Sequence, residues 1–279
     1  MKKILFPTDF SETSLNAFVY ALKLAKSTDA EVITLNVYNL PIIESGFSDV
    51  PMYQAEVYQS LELSNFENYK DQIPKLRQIA DEHQLGHIPI SHVLLDGDVV
   101  ENIRQLVEKD HIDYVVMGTS GASGLNEFFF GSVTSEIMTK TSAMVLGVPA
   151  GSHYEGIHKI GFATQYSIKE LDALRKLLPL ARKLKASIEC VYVQTPDNEV
   201  NEVIINDWKT IFKGEAVTFH TIQSKDVEDM LMDFINLYRI DVFALLNEKR
   251  GFWEGLFHSS LTKKLAHHLK VPLLVMHDS

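Results

Sequence analysis

Lys3-Ile-Leu-Phe-Pro-Thr-Asp-Phe-Ser11 returns later in the chain as Lys159-Ile-Gly-Phe-Ala-Thr-Gln-Tyr-Ser167, with five of the nine positions identical. Each copy is a short apolar run that ends in a polar turn. Each is followed by apolar residues at helical spacing: Leu15, Phe18, Leu22 and Ala25 in the first copy, Leu171, Leu174, Leu178 and Ala181 in the second. Positions i, i+3 and i+7 share one face of a helix, so both copies open as strand, turn and amphipathic helix.

The correspondence runs on along the chain. Glu31–Tyr38 answers Ser187–Val193 as a second strand. Gly97-Asp-Val-Val-Glu and Lys225-Asp-Val-Glu each open a helix with acidic residues, which suit the positive end of its dipole. Ile112–Met117 answers Ile240–Leu245, and Ala143–Val148 answers Pro272–Met276. Both halves therefore read β-α-β-α-β-α-β-α-β. Apolar strands alternating with helices predict an α/β fold, with parallel sheets covered on both faces. The boundary falls at the polar stretch Gly151–Gly156, which gives one domain over 1–150 and a second over 156–279. The first copy carries extra residues around Ile42–Lys75, read as a loop leading into a long helix. Its last strand and that of the second copy are apolar, and open strand edges invite pairing, so the two copies are expected to join there as a pseudo-two-fold pair.

Composition narrows the function. The chain has 279 residues, 46% of them hydrophobic, enough for full cores in two domains. A net charge of -11 argues against a nucleic-acid-binding surface. One cysteine, Cys190, permits no disulfide within the chain. Its alternation with Ile188 and Tyr192 reads as a small buried hydrophobe. Met1–Asp9 is too short in apolar residues for a signal peptide, and no run reaches the length of a membrane span. A soluble cytoplasmic protein with no membrane partner is expected. No zinc-protease, Cys-x-x-Cys, Walker A or serine-hydrolase motif occurs. The adjacent His267 and His268 would point about 100° apart on a helix, so they do not form a metal pair.

The stretch Gly118-Thr-Ser-Gly-Ala-Ser-Gly-Leu-Asn-Glu-Phe-Phe-Phe-Gly-Ser132 lies between the apolar run Tyr114–Met117 and a helical pattern from Val133. A strand, a glycine loop and a helix N-terminus make a candidate anion site: glycines let backbone amides approach a phosphate, and the helix adds free N–H groups. If the first and fourth strands are neighbours at a topological switch point, Asp9 and this loop face one crevice. A glycine-rich loop alone is weak evidence, and Asp9 or Ser11 could simply cap the first helix. Phe128–Phe130 reads as a packing patch.

The pattern Gly118-x2-Gly121-x9-Gly131-Ser132 resembles the ATP-binding signature of the universal stress protein family, and the opening Lys-Ile-Leu-Phe-Pro-Thr-Asp resembles that family's first strand and acidic turn. The resemblance covers nearly the whole chain as two tandem copies. It implies two Rossmann-like domains of the adenine nucleotide α-hydrolase type, each with a five-stranded parallel sheet. It also implies ATP, with Mg²⁺, as the ligand. By position, Pro7, Thr8, Asp9 and Val37 would surround adenine and ribose, Gly118 would line the ribose, and Gly121, Gly131, Ser132, Val133 and Thr134 would hold the phosphates. Many family members carry a histidine or a basic residue in the loop, whereas Ser120 and Ala122 flank Gly121 here, so less charge on the phosphates is expected. Paired domains and a homodimer of tandem chains are implied as well.

The second copy departs from the pattern. Asp9 becomes Gln165, and Gly118, Gly121 and Gly131 become Leu246, Lys249 and Ser259, with Phe252, Trp253 and Phe257 nearby. No ATP is expected there, though Ser259–Thr262 could hold a small anion. The functional expectation is an ATP-binding stress-response protein that signals its occupied state to a protein partner. A slow ATP hydrolase and a nucleotide-free interaction protein are the alternatives.

Overall fold

The computed structural model describes residues 1–40, 51–119, 131–196, 198–247 and 269–277. The first half contains β1 (Lys2–Pro7), α1 (Glu12–Thr28), β2 (Ala30–Tyr38), α2 (Pro51–Glu82), β3 (Ile90–Asp96), α3 (Val99–Asp110), β4 (Tyr114–Gly118), α4 (Ser132–Lys140) and β5 (Met144–Val148). The second contains β6 (Lys159–Ala163), α5 (Ile168–Leu184), β7 (Ser187–Gln194), α6 (Glu202–Ile211), β8 (Val217–Gln223), α7 (Val227–Tyr238), β9 (Val242–Asn247) and β10 (Leu273–His277).

The ten strands form one sheet in the order β3-β2-β1-β4-β5-β10-β9-β6-β7-β8. Within each half every pairing is parallel. The halves meet where β5 and β10 run antiparallel, with Leu273 opposite Gly147 and Val275 opposite Val145. Read outward from that seam, the two halves have the same strand order. The expected pairing through the last strands is what the chain does, and it merges two five-stranded sheets into one.

Strand alternation splits the core into two layers. Ile4 and Phe6 of β1, with Tyr114 and Val116 of β4, lie on the sheet face covered by α1, α2, α5 and α6. Leu5, Val115 and Met117 face the opposite way, on the face covered by α3, α4 and α7. Two-residue periodicity in the strands thus covers both faces with helices, as the near-continuous apolar strands require.

The helix starts are set locally. Ser11, Asp98, Ser167, Asn201 and Asp226 are the side-chain N-caps of α1, α3, α5, α6 and α7. Residues in the left-handed conformation end four of these helices: Asp29, His111, Lys185 and Arg239. The insertion in the first half becomes α2, a helix of 32 residues with Pro74 inside it, against 10 residues for its counterpart α6.

Candidate functional site

The strand order puts β1 beside β4, with α1 following β1 on one face of the sheet and α4 following β4 on the other. The two chain directions diverge at this point, so a crevice opens beyond the carboxyl ends of the strands. A cleft of about 330 Å³ occupies it. Pro7, Thr8, Asp9, Val37, Gly118, Gly131, Ser132, Val133 and Thr134 all line the cleft. Gly121 lies outside the described residues. Sequence reasoning missed Ser14, Leu35, Asn36, Val99, Met117 and Thr119, which also line it.

One wall is the turn from β1 to α1, tied down by hydrogen bonds. Thr8 N–H donates to Leu35 O at 2.8 Å, and Asn36 Nδ2 donates to Thr8 O at 2.8 Å. Thr8 Oγ1 accepts from Phe10 N–H at 3.0 Å and from Ser14 Oγ at 2.7 Å. Phe10 takes a positive φ of 60°, which turns the chain into the helix. Asp9 is exposed, and its Oδ1 accepts from Ser11 N–H at 3.0 Å and from Ser11 Oγ at 2.6 Å. Ser11 in turn caps α1. The aspartate thus orients the helix cap while its carboxylate stands at the cleft mouth. Apolar Leu35, Val37, Val99 and Met117 supply a surface suited to a flat ring.

The facing wall is the N-terminus of α4. Gly131 N–H donates to Thr119 O at 2.6 Å, and Thr119 N–H donates to Val148 O at 3.0 Å, which fixes the helix entry against the sheet. The helices α1, α3, α5, α6 and α7 each open with a side-chain cap and an acidic residue in the first turn. Helix α4 opens with neither: its N-cap is Gly131, with no side-chain hydrogen bond and no acid in the first turn. The first-turn N–H groups of a helix lack intrahelical partners, and their dipole end is positive. The hydroxyl of Thr134 donates to Gly118 O at 3.2 Å, which leaves its backbone N–H, rather than its side chain, to face an anion.

The two described glycines differ in what they demand. A Cβ on Gly118 would lie 3.0 Å from Thr13 Cγ2 and 3.1 Å from the Thr13 backbone carbonyl. The absence of a side chain there is required by α1 crossing β4. A Cβ on Gly131 would meet only Thr119 O, at 3.5 Å, an ordinary contact. Packing of the described residues does not require glycine at 131.

The second half resolves the same turn differently. Thr164, Gln165 and Ser167 stand where Thr8, Asp9 and Ser11 stand in the first. Glu170, 2% exposed, replaces Ser14. Its Oε2 accepts from Thr164 Oγ1 at 3.0 Å, Gln165 N–H at 2.8 Å and Ser167 N–H at 2.9 Å. The acid has moved from the cleft mouth to the inside of the turn. Tyr166 joins Trp208 at 4.9 Å and Tyr192 at 5.6 Å between ring centroids, and burial pushes its phenol up. Leu246, at the position of Gly118, is buried in β9. Lys249, Phe252, Trp253, Phe257 and Ser259–Thr262 lie outside the described residues, as do His267, His268 and Phe128–Phe130. A cleft of about 370 Å³ in this half lies at the ends of β7 and β8, lined by residues such as Gln194, Gln223 and Lys225.

Among the described residues no helix is long and apolar enough to cross a membrane, and no group of three or more His, Cys, Asp or Glu could hold a metal ion. The model of the universal stress protein family matches residues 1–149. The chain is 32% identical over 147 residues to the universal stress protein MJ0531 of Methanocaldococcus jannaschii, covering 53% of this chain and 81% of that protein. It is 30% identical over 154 residues to the universal stress protein MJ0577 of the same organism, covering 53% and 94%. Over its full length its fold is similar to the crystal structure of a universal stress protein from Archaeoglobus fulgidus DSM 4304, with a TM-score of 0.75 at 18% identity, covering 99% of this chain and 98% of that one. With Gly118 and Gly131-Ser132 set at a β1–β4 switch point, in a tandem pair of five-stranded α/β units, the chain belongs to the universal stress protein family.

Proposed function

We propose that this protein binds one ATP, as its Mg²⁺ complex, in the cleft of the first half and relays the occupied state to a protein partner. The observation that carries the reading is the uncapped, acid-free N-terminus of α4 opening into the same cleft as the β1–α1 turn. An anion at such a helix start receives the unpaired N–H groups and the favourable end of the dipole. The triphosphate would lie along Gly131–Thr134, and the space a Cβ would take at Gly131 is where the backbone would approach it. Base and ribose would lie against Pro7, Thr8 and Val37, with Asp9 accepting from a ribose hydroxyl or the adenine amino group. Mg²⁺ would enter on the phosphates.

Binding is favoured over phosphoryl transfer. The described lining carries one charged side chain, Asp9, and brings no cation to stabilise a transferring phosphoryl group. The second half is read as a degenerate domain without ATP. Its acid is engaged by three donors at Glu170, and the position of Asp9 is taken by a neutral Gln165.

Titration calorimetry with ATP and Mg²⁺ tests this: a stoichiometry near one per chain is expected. A stoichiometry near two, or heat that survives Gly131→Val at wild-type strength, would remove the assignment. Two chains are further proposed to associate as a homodimer of tandem chains. The β5 and β10 edges are used within the chain, so that contact must use another surface. Light scattering that finds only the monomer mass at all concentrations would exclude it.

A further inference from the structure

Helix α4 is short, nine residues, and its far end is finished by the other half of the molecule. The last carbonyls of a helix have no intrahelical partner. In α1, α3, α5 and α7 a left-handed residue supplies a backbone N–H to them. Helix α4 ends instead at Thr141 in extended conformation, φ −102° and ψ 164°, with no such turn. Thr141 Oγ1 donates to Ile137 O at 3.1 Å. The next carbonyl is met from across the seam: His277 Nε2 lies 2.8 Å from Met138 O. Asn247 Nδ2 lies 3.4 Å from the same oxygen and 3.5 Å from Thr139 O. His277 Nδ1 lies 2.8 Å from Ala143 O, its cross-strand neighbour beyond the β5–β10 pairs.

Both ring nitrogens of His277 therefore face carbonyl oxygens, which only accept. A neutral imidazole has a single N–H and could serve one of them, leaving a lone pair against the other. An imidazolium serves both, and a cation at a helix C-terminus is favoured by the dipole. We infer that Asn247 and His277, the latter as an imidazolium, are positioning residues: the second half caps the C-terminus of α4 and so holds the N-terminus of that helix in place at the cleft of the first half. This gives the degenerate half a defined task. The part concerning ATP rests on the nucleotide reading above, and the capping itself does not.

On α4, Glu136 and Lys140 pair with each other at 3.2 Å. The described α4–β5 turn, β5, β9 and β10 bring no acidic or basic side chain apart from His277. A neutral ring would keep only one of the two bonds, so the full cap belongs to the charged form.

The test compares the full chain with His277→Gln, His277→Ala and Asn247→Ala. Long-range ¹H–¹⁵N NMR of the wild type at pH 7 should find both ring nitrogens of His277 protonated. A neutral ring there overturns the charged cap. Amide exchange across residues 132–140 should quicken in His277→Ala by about three- to tenfold, within what a partly buried helix-terminal cation is worth. ATP affinity should fall by up to the same factor with stoichiometry unchanged. Exchange and affinity both within about twofold of wild type would overturn the positioning role. If His277→Ala does not fold, His277→Gln, which keeps an amide donor, carries the same comparison. If the wild type binds no ATP, the nucleotide reading fails on its own, and the cap is decided by the ring nitrogens and the exchange rates.

Discussion

Glu170 and Ser14 occupy the same place in the two halves: each is the third residue of a helix capped by a serine, and each reaches back to the threonine that follows the preceding strand. Ser14 does so with a hydroxyl at the floor of a cleft, and Glu170 with a buried carboxylate that takes three donors. Removing that carboxylate leaves the Thr164 hydroxyl and two backbone N–H groups without their acceptor. Glu170→Ala is expected to cost about 2–4 kcal/mol in urea unfolding, the sum of a lost capping box and buried unsatisfied donors. Ser14→Ala removes one hydroxyl pair and is expected to cost about 1 kcal/mol, while lowering ATP affinity.

The glycines separate packing from binding. Gly118→Ala should destabilise the fold, because its Cβ would press on the Thr13 backbone at 3.1 Å, and α1 cannot yield there without leaving the sheet. Gly131→Val should leave the unfolding midpoint within about 0.5 kcal/mol of wild type, since 131 has a negative φ of −57° and, among the described residues, its Cβ would meet Thr119 O at an ordinary 3.5 Å. It should abolish ATP binding nonetheless. Parallel urea titrations and calorimetry check both. A Gly131→Val chain that unfolds easily would mean the helix start needs its glycine for folding.

Much of this architecture was legible because it is written locally. The apolar strands, the acidic helix starts at Asp98 and Asp226, and the repeat of Lys3–Ser11 at Lys159–Ser167 are short-range signals, and they set the elements and the tandem plan. The cleft's position followed from Asp9 and Gly131 once β1 and β4 were neighbours. Ser14, Asn36 and Val99 were not legible, since each reaches the cleft from a different element and belongs to no motif. Aligning Ser14 with Glu170 across the repeat would have flagged that position. Asn247 and His277 had no signal at all: their partners are backbone carbonyls of the other half, brought within reach only by the antiparallel seam.

Cys190 is buried in β7, and burial, then the nearby charges of Glu189 and Glu170, pushes its thiol well above the usual range. The thiolate is the reactive form, so the folded protein should be inert to thiol reagents. A chromogenic disulfide reagent should label about zero thiols in the native state and one in denaturant, at the rate of global unfolding. Rapid native labelling would contradict the buried position.

His92 should make the protein acid-sensitive. Its Nδ1 lies 2.8 Å from Thr34 Oγ1, which also lies 3.0 Å from Tyr69 Oη. Its Nε2 is buried, with no hydrogen-bond partner among the described residues. Burial, then the positive charge of Arg77, holds this imidazole below the ordinary histidine range. A base whose folded pKa is depressed binds fewer protons in the native state than in the unfolded one. Stability therefore rises with pH across that interval and is lost as pH falls from about 6.5, the unfolded value, toward the lower folded value. The charged form would also place a proton on a nitrogen that has no acceptor. Replacing His92 with Gln keeps a polar partner for Thr34 and removes the titration. Urea midpoints measured from pH 7.5 down to pH 5 should show a drop in the wild type that is smaller in His92→Gln. Equal slopes in the two proteins would show that His92 is not the group that titrates.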